Sequence, residues 1–218
     1  LIAAMPVYGR AAALANAKKL WEGLKIEIFH VTDDETGDLA VDTLTTLLHV
    51  LYHGVDPPEG IAPKMVHDCL VELEEPGKSL AKAAIRVLSC LVRASASTAY
   101  LAVYGFMDQM IKMFADPEDL AQRTPILAGI GELLDALAKV YRYAELVKLD
   151  DGGSGKTSPV ADEIGTGQLL PSTASERSYA GDNRPLDPFL SDLLNCLSNG
   201  LRSTSYRRSA MLVFSSAV

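Results

Sequence analysis

Apolar residues recur along most of the chain with the three- and four-residue spacing of amphipathic helices. The first stripe, Leu20, Leu24 and Ile28, predicts a helix over about 11–29. Similar stripes predict seven more helical segments, which carry Leu44 to Leu51, Ala62 to Leu73, Lys78 to Arg93, Val103 to Phe114, Ile126 to Leu137, Leu186 to Leu201, and Thr204 onward. Strand-period alternation and Asn-Gly hairpin signals are absent from the sequence. The pattern therefore predicts an all-α protein.

Glycine and proline mark the expected ends of these helices. Gly54 should stop the second helix, and Pro76 turns the chain before the fourth. Asp116 is a good N-cap and Pro117 fits the first helical position, so the sixth helix is expected to start there. Pro125 lacks an amide hydrogen and is expected to kink or divide that helix.

The helices form pairs that repeat along the chain. The block Leu39–Leu44 aligns with Leu80–Ile85, 41 residues later, and again with Tyr206–Met211. A helix-pair period in the low forties is typical of HEAT and armadillo repeats. One pair cannot cover its own apolar stripe, so successive pairs must stack. Ala84 and Ala210 should let neighbouring helices approach closely. The sequence thus predicts a HEAT/armadillo-like α-solenoid of about four helix pairs, with an ordinary helical bundle as the alternative.

Residues 145–185 break this periodicity. The segment is rich in Gly, Ser, Thr and Pro and lacks an apolar period, which predicts a long flexible loop. Helix pairs one to three would then occupy 1–144, and the fourth pair would occupy 186–218. The last helix shows no polar outer face that would close a solenoid, so we expect the solenoid to continue in a longer parent chain.

Composition and charge exclude several classes of function. Asp and Glu total 28 against 20 Lys and Arg, which gives a net charge of −8. Direct nucleic-acid binding and polybasic membrane attachment both need a basic surface, so both are disfavoured. The sequence contains no run of eighteen apolar residues, so it predicts no membrane-spanning helix. The three cysteines, Cys69, Cys90 and Cys196, have neither disulfide-framework nor metal-ligand spacing, which fits a reducing compartment.

Two short motifs suggest chemistry but fail on their context. Gly153–Thr157 matches the end of a phosphate-binding loop. That motif also needs an earlier glycine, but Asp150 occupies the position and Asp151 follows it. Two carboxylates there would repel phosphate, so a Gly-Ser loop is favoured, and an ATP-using enzyme is kept only as an alternative. His49 and His53 are spaced to share one helix face, but no acidic residue between them could serve as a metalloprotease base. We therefore predict no catalytic residue, metal site or cofactor.

Other side chains of interest have a simple structural interpretation. The acidic clusters 33–35 and 72–75 should lie at turns along one edge of a solenoid, where a basic partner could meet them. Cys69 and Cys90 are expected to fill the core as small apolar residues. A group of tyrosines and methionines is expected to pack in the protein rather than bind a partner: Tyr141, Tyr143, Met107, Met110 and Met113. A methionine-rich surface would nevertheless adapt to partners.

Several segments resemble blocks of a large HEAT-repeat family. The most distinctive segment is Lys19–Phe29, which contains Trp21. It is preceded by Val7-Tyr8-Gly9. Later blocks follow in the same order: Ala83–Leu88, Gln122–Leu127 and Pro185–Phe189. The family is that of the targeting adaptors of cytosolic iron–sulfur protein assembly, also described as methyl-methanesulfonate-sensitivity DNA repair/transcription proteins. The likeness is to a middle portion of fungal type, and it covers nearly the whole chain outside 145–185.

This resemblance implies a non-enzymatic scaffold in the cytoplasm and nucleus. Members of the family join a cluster-targeting complex to apoproteins that need iron–sulfur clusters, many of them helicases, polymerases and transcription-factor subunits. A DNA-repair phenotype would then be indirect, in agreement with the acidic charge. The family docks on the targeting complex mainly through C-terminal repeats, and no family motif assigns single binding residues here. The alternative is another acidic HEAT scaffold, such as a karyopherin-type nuclear-transport receptor.

Overall fold

A computed structural model describes residues 5–30, 33–52, 60–116, 120–151 and 185–217 of the chain. Within these ranges the backbone forms eight α-helices, two short 3₁₀ helices and no β-strand. The α-helices are α1 Met5–His30, α2 Asp34–Tyr52, α3 Ala62–Glu72, α4 Ser79–Ala94, α5 Ala96–Ala115, α6 Arg123–Asp151, α7 Leu190–Arg202 and α8 Arg207–Ala217. The 3₁₀ helices are Leu120–Gln122 and Asp187–Phe189.

The described helices stack in two layers. Each odd-numbered helix packs against the even-numbered helix that follows it, which defines the pairs α1/α2, α3/α4, α5/α6 and α7/α8. The even helices pack in the order α2, α4, α6, α8, and in the odd layer α5 packs against both α3 and α7. This alternation of within-pair and between-pair contacts is the arrangement of an α-solenoid. The prediction of an all-α, HEAT/armadillo-like solenoid with about four helix pairs is confirmed for the described residues.

The predicted apolar stripes form the core between the layers. On α2, Leu44, Leu47, Leu48 and Leu51 are at most 1% exposed. On α4, the inward-facing Leu88 is completely buried. Each such side chain contributes about 1.5–3 kcal/mol when it is fully buried. A single pair has no second surface to cover these residues, so stability depends on the stacking of neighbouring pairs.

Small residues set how closely the helices approach. A Cβ atom built on Gly129 of α6 would lie only 2.9 Å from Ile85 Cδ1 of α4. A Cβ on Gly200 of α7 would lie 2.8 Å from the Cβ of Ala210 on α8. Ala84 is completely buried, as is Ala210. The predicted role in close helix packing is therefore confirmed for Ala210, and two glycines share it.

A partly buried polar contact fastens the first helix pair to the second. Trp21 of α1 is completely buried, and its Nε1 donates a hydrogen bond to Asp68 Oδ2 of α3 at 2.9 Å. Lys64 Nζ lies 2.8 Å from the same oxygen, and Lys25 Nζ lies 3.4 Å away. Burial by itself raises the pKa of Asp68, but the hydrogen bonds from Lys64 and Trp21, with the charge of Lys25, outweigh it and lower that pKa.

A tyrosine hydroxyl caps the start of α3. Tyr52, 1% exposed at the end of α2, accepts hydrogen bonds from the backbone N–H groups of Ile61 at 3.0 Å and Ala62 at 2.8 Å. The first N–H groups of a helix have no partner within the helix, so this contact replaces a conventional N-cap side chain. Burial raises the pKa of the Tyr52 hydroxyl.

Several predicted helix boundaries were wrong. α6 begins at Arg123 rather than near Asp116, which instead follows the end of α5. Pro125 lies in the first turn of α6 and does not kink it, because the N–H groups of that turn have no acceptor within the helix. α6 also continues to Asp151, so the boundary predicted at residue 145 is too early. The rest of the predicted loop, residues 152–184, lies outside the described residues.

The first helix consists of two segments. α1 is interrupted at Gly9, where the backbone is not helical (φ 72°, ψ 179°), so its main segment begins close to the predicted start near residue 11 and a short segment from Met5 precedes it. Glycine adopts a positive φ without the steric penalty that a Cβ atom imposes, so the interruption falls where the sequence permits it.

Candidate protein-docking groove

A groove of about 510 Å³ opens on the odd layer between α3 and α5. Leu70 and Glu74 line it from the C-terminal end of α3 and the turn that follows. Tyr104, Asp108, Lys112 and Met113 line it from α5. The groove thus combines apolar walls with a charged mouth, as expected for a surface that binds part of another protein.

The floor of the groove is fixed by a close approach of the two helices. A Cβ atom on Gly105 would lie 3.1 Å from Leu70 Cδ1 and 3.2 Å from Val66 Cγ1. Gln109 Nε2 donates a hydrogen bond of 3.0 Å to the Leu70 carbonyl oxygen. Since both contacts join α5 directly to α3, the groove is a pre-formed feature of the repeat interface.

An aromatic surface borders one side of the groove. Tyr104 is 51% exposed, and its ring stacks at 6.0 Å from Tyr100, which is 45% exposed. Tyr104 also makes an edge-to-face contact with Phe189, with the two ring centroids 5.3 Å apart. Phe189 is buried at the start of the fourth helix pair, so the aromatic surface extends from the α3/α5 groove towards α7.

The mouth of the groove is negatively charged. α3 ends at Glu72 without a basic residue in its last turn, and Glu74 and Glu75 follow immediately. The carbonyl groups at a helix C-terminus carry partial negative charge, which favours a cation there. Lys78 forms an ion pair with Glu75, and Lys112 pairs with Asp108 across one helical turn at 2.8 Å. Among the described residues, no cation lies within ion-pair distance of Glu72 or Glu74.

A second cavity, of about 350 Å³, lies between α5 and α7. Arg123 lines it, and its guanidinium group stacks 5.2 Å from the Phe114 ring and 5.7 Å from the Tyr206 ring. Arg123 Nη1 also donates a hydrogen bond of 2.8 Å to the Tyr206 hydroxyl. These contacts join the third helix pair to the fourth, so we assign Arg123 a structural role.

The described residues show no functional site at either of the two candidate sequence motifs. Gly153–Thr157 lies outside the described residues, as does His53. His49 is partly buried on α2. Across the described ranges, no group of three or more His, Cys, Asp or Glu side chains is arranged to hold a metal ion.

Cys69 and Cys90 are core residues, as predicted. Cys69 is completely buried and Cys90 is 3% exposed. Burial raises the pKa of both thiols. Thr45 Oγ1 lies 3.3 Å from Cys90 Sγ and so links α2 to α4.

The acidic clusters have different roles. In the first cluster, Asp33 Oδ2 accepts hydrogen bonds from the Thr36 N–H at 3.0 Å and the Thr36 hydroxyl at 2.7 Å, which lowers its pKa and caps α2. In the second cluster, Glu74 lines the groove. One predicted cluster is therefore a helix cap, and the other borders a surface that can meet a partner.

The methionines also divide between core and surface. Met107 and Met110 are buried on α5, as the packing interpretation predicted, whereas Met113 lines the groove. Tyr141 and Tyr143 belong to α6, and their side chains lie outside the described part of the structure.

Sequence reasoning missed the α5 side of the groove. Tyr100, Tyr104, Asp108 and Lys112 follow one another at intervals of four residues, which places them on one helical stripe. That stripe is distinct from the apolar one that identified α5. A search for a second stripe with aromatic and charged residues would have found these positions, but only the structure shows that α3 lies opposite.

Comparison with protein-family models, curated proteins and solved structures finds no match to this chain. In the part of the chain that the structure describes, no helix is both long and apolar enough to cross a membrane.

Proposed function

We propose that this chain is a non-enzymatic scaffold that binds partner proteins on the odd layer of its solenoid. The observation that carries the proposal is the groove between α3 and α5, where the exposed Tyr104 and Glu74 share one concave surface. Aromatic residues with polar surroundings are typical of protein interfaces. The four stacked pairs supply an extended surface of the kind that solenoids use for binding.

We further propose that the scaffold is a targeting adaptor of cytosolic iron–sulfur protein assembly, acting in the cytoplasm and nucleus. The support is the ordered resemblance of Lys19–Phe29, Ala83–Leu88 and the two later blocks to that family. These first two blocks belong to α1 and α4, in the first and second helix pairs. The net charge of −8 agrees with an indirect connection to DNA repair through client proteins rather than through DNA contact.

Affinity capture tests this assignment. The full-length protein that contains this chain is tagged in its own cells, and the bound proteins are identified by mass spectrometry. We expect subunits of the cluster-targeting complex together with iron–sulfur apoproteins. The matched control carries Leu88→Asp, which places a charge in the core between helix pairs and should abolish specific capture. Recovery of transport cargo or phosphatase subunits alone would contradict the adaptor assignment.

The acidic charge on a HEAT-like solenoid also favours a second candidate, a karyopherin-type transport receptor. Such a receptor binds a small GTPase in its GTP-bound form. Titration of the chain with that GTPase, loaded with a non-hydrolysable GTP analogue, distinguishes the two candidates. We expect no binding, and saturable binding that depends on the GTP form would favour the receptor.

A further inference from the structure

We propose that the α3/α5 groove binds a partner segment in which a large apolar side chain neighbours a lysine or arginine. The proposal rests on the scaffold function above and adds the chemistry of the partner. Two independent features of the groove carry it: its apolar walls and the unbalanced negative charge at its mouth.

The apolar walls provide a place for one large side chain. Leu70 lies on one side, while Tyr104 and Met113 lie on the other. Methionine adapts its shape to different neighbours, and a tyrosine ring offers a large apolar face with little conformational freedom to lose. Because Gly105 and Gln109 hold α5 against Leu70, the partner does not have to open the groove before it binds.

The charge at the mouth selects a cation. Glu74, in the turn that follows α3, is the glutamate of the 72–75 cluster that lines the groove. Only Glu75 of this cluster has an ion-pair partner among the described residues, namely Lys78. A lysine or arginine that arrives beside Glu74 therefore meets an uncompensated carboxylate and the negative end of a helix dipole.

The same charges exclude the opposite kind of partner. An acidic segment or a nucleic-acid phosphate would approach Glu74 with like charge. Lys112 also lines the groove, but Asp108 balances its charge at 2.8 Å, so Glu74 remains the excess charge of the lining. The groove is therefore specific for basic segments, and binding should weaken as salt concentration rises.

Peptide selection tests the proposal without a known partner. A displayed library of randomised twelve-residue peptides is selected on the immobilised 218-residue chain and counter-selected on its Glu74→Lys/Tyr104→Ser double variant. Both residues are exposed, so the variant is expected to keep the fold, which circular dichroism checks. We expect the enriched peptides to place Leu, Ile, Phe or Trp within a helical turn of Lys or Arg.

Single variants then locate the binding site. Fluorescence anisotropy with a selected peptide should show that Glu74→Lys and Tyr104→Ser each weaken binding about tenfold. Glu132→Lys makes the same charge change at an exposed position of α6, and Tyr8→Ser removes a tyrosine that is 74% exposed on α1. Both controls should leave the dissociation constant within about twofold of the wild type.

Several results would overturn the proposal. These are a failure to enrich any peptide over the double variant, enrichment of acidic peptides, or a loss of affinity in Glu132→Lys as large as that in Glu74→Lys. The scaffold function is judged separately by capture of cluster-targeting subunits. If the Glu74→Lys/Tyr104→Ser protein still captured them and no groove peptide was enriched, the groove proposal would fail while the scaffold function stood.

Discussion

Replacing Asp68 with alanine is expected to loosen the first helix pair from the second. The change removes the acceptor of the Trp21 Nε1 hydrogen bond, and the Trp21 side chain is completely buried. A buried donor left without a partner costs about 1–3 kcal/mol. Lys64 keeps its 3.0 Å contact with Glu22, which is exposed and contributes about 0–1 kcal/mol. We therefore expect a loss of about 2 kcal/mol in the free energy of unfolding.

The single tryptophan makes this loss measurable at the site itself. Trp21 is the one tryptophan of the chain, so its fluorescence during urea unfolding reports the contact between α1 and α3. With a slope of about 2 kcal/mol per molar urea, the midpoint should fall by about 1 M. The matched control is Asp135→Ala on α6, which breaks a mostly exposed ion pair with Lys139 and should change the midpoint by less than about 0.3 M.

The contact also predicts how stability depends on pH. The pKa of Asp68 is lower in the folded protein, so its ionised form stabilises the fold above the ordinary aspartate pKa of about 3.9. That contribution is lost as the pH falls towards the lower, folded-state pKa. Between about pH 5 and 3 the wild type should therefore lose its fluorescence-detected stability more steeply than Asp68→Ala. Equal midpoints for the two proteins at pH 7 would refute the reasoning.

Three further changes test the core. Tyr52→Phe removes the acceptor of two backbone N–H groups at the start of α3 and should cost about 2 kcal/mol in urea unfolding, whereas no loss would refute the capping role. Leu88→Asp buries a charge and should cost more than about 4 kcal/mol by circular dichroism at 222 nm, while Leu39→Asp, at a position 59% exposed, should change stability by less than about 0.5 kcal/mol. Cys69 and Cys90 should react with a thiol reagent only after unfolding, because burial raises the pKa of both thiols, and rapid native-state labelling would contradict their placement.

The even layer of the solenoid is the part that the sequence predicts best. Leu39–Leu44 and Leu80–Ile85 belong to α2 and α4, and the third aligned block, Tyr206–Met211, overlaps the start of α8. These helices are covered on several sides, so burial imposes a strict apolar period that can be read directly. The prediction of small residues at close contacts, such as Ala210, follows from the same constraint.

Helix ends and the groove were harder to predict for physical reasons. Pro125 looks like a helix breaker, but in the first turn of α6 it removes a hydrogen that has no acceptor. The groove depends on Leu70 and Tyr104, which are 34 positions apart and meet only because α3 and α5 pack side by side. Local patterns predict the helices, whereas the pairing of exposed residues on neighbouring repeats depends on helix rotation and spacing.

The link between Arg123 and Tyr206 has a consequence for the evolution of this chain. It joins positions 83 residues apart, and α8 packs directly on α6 while α7 packs on α5. The register of the fourth pair is thus specified by side-chain contacts with the third. Selection on the placement of the fourth pair would therefore act on interface residues such as Arg123 and Tyr206, which lie far apart in the sequence.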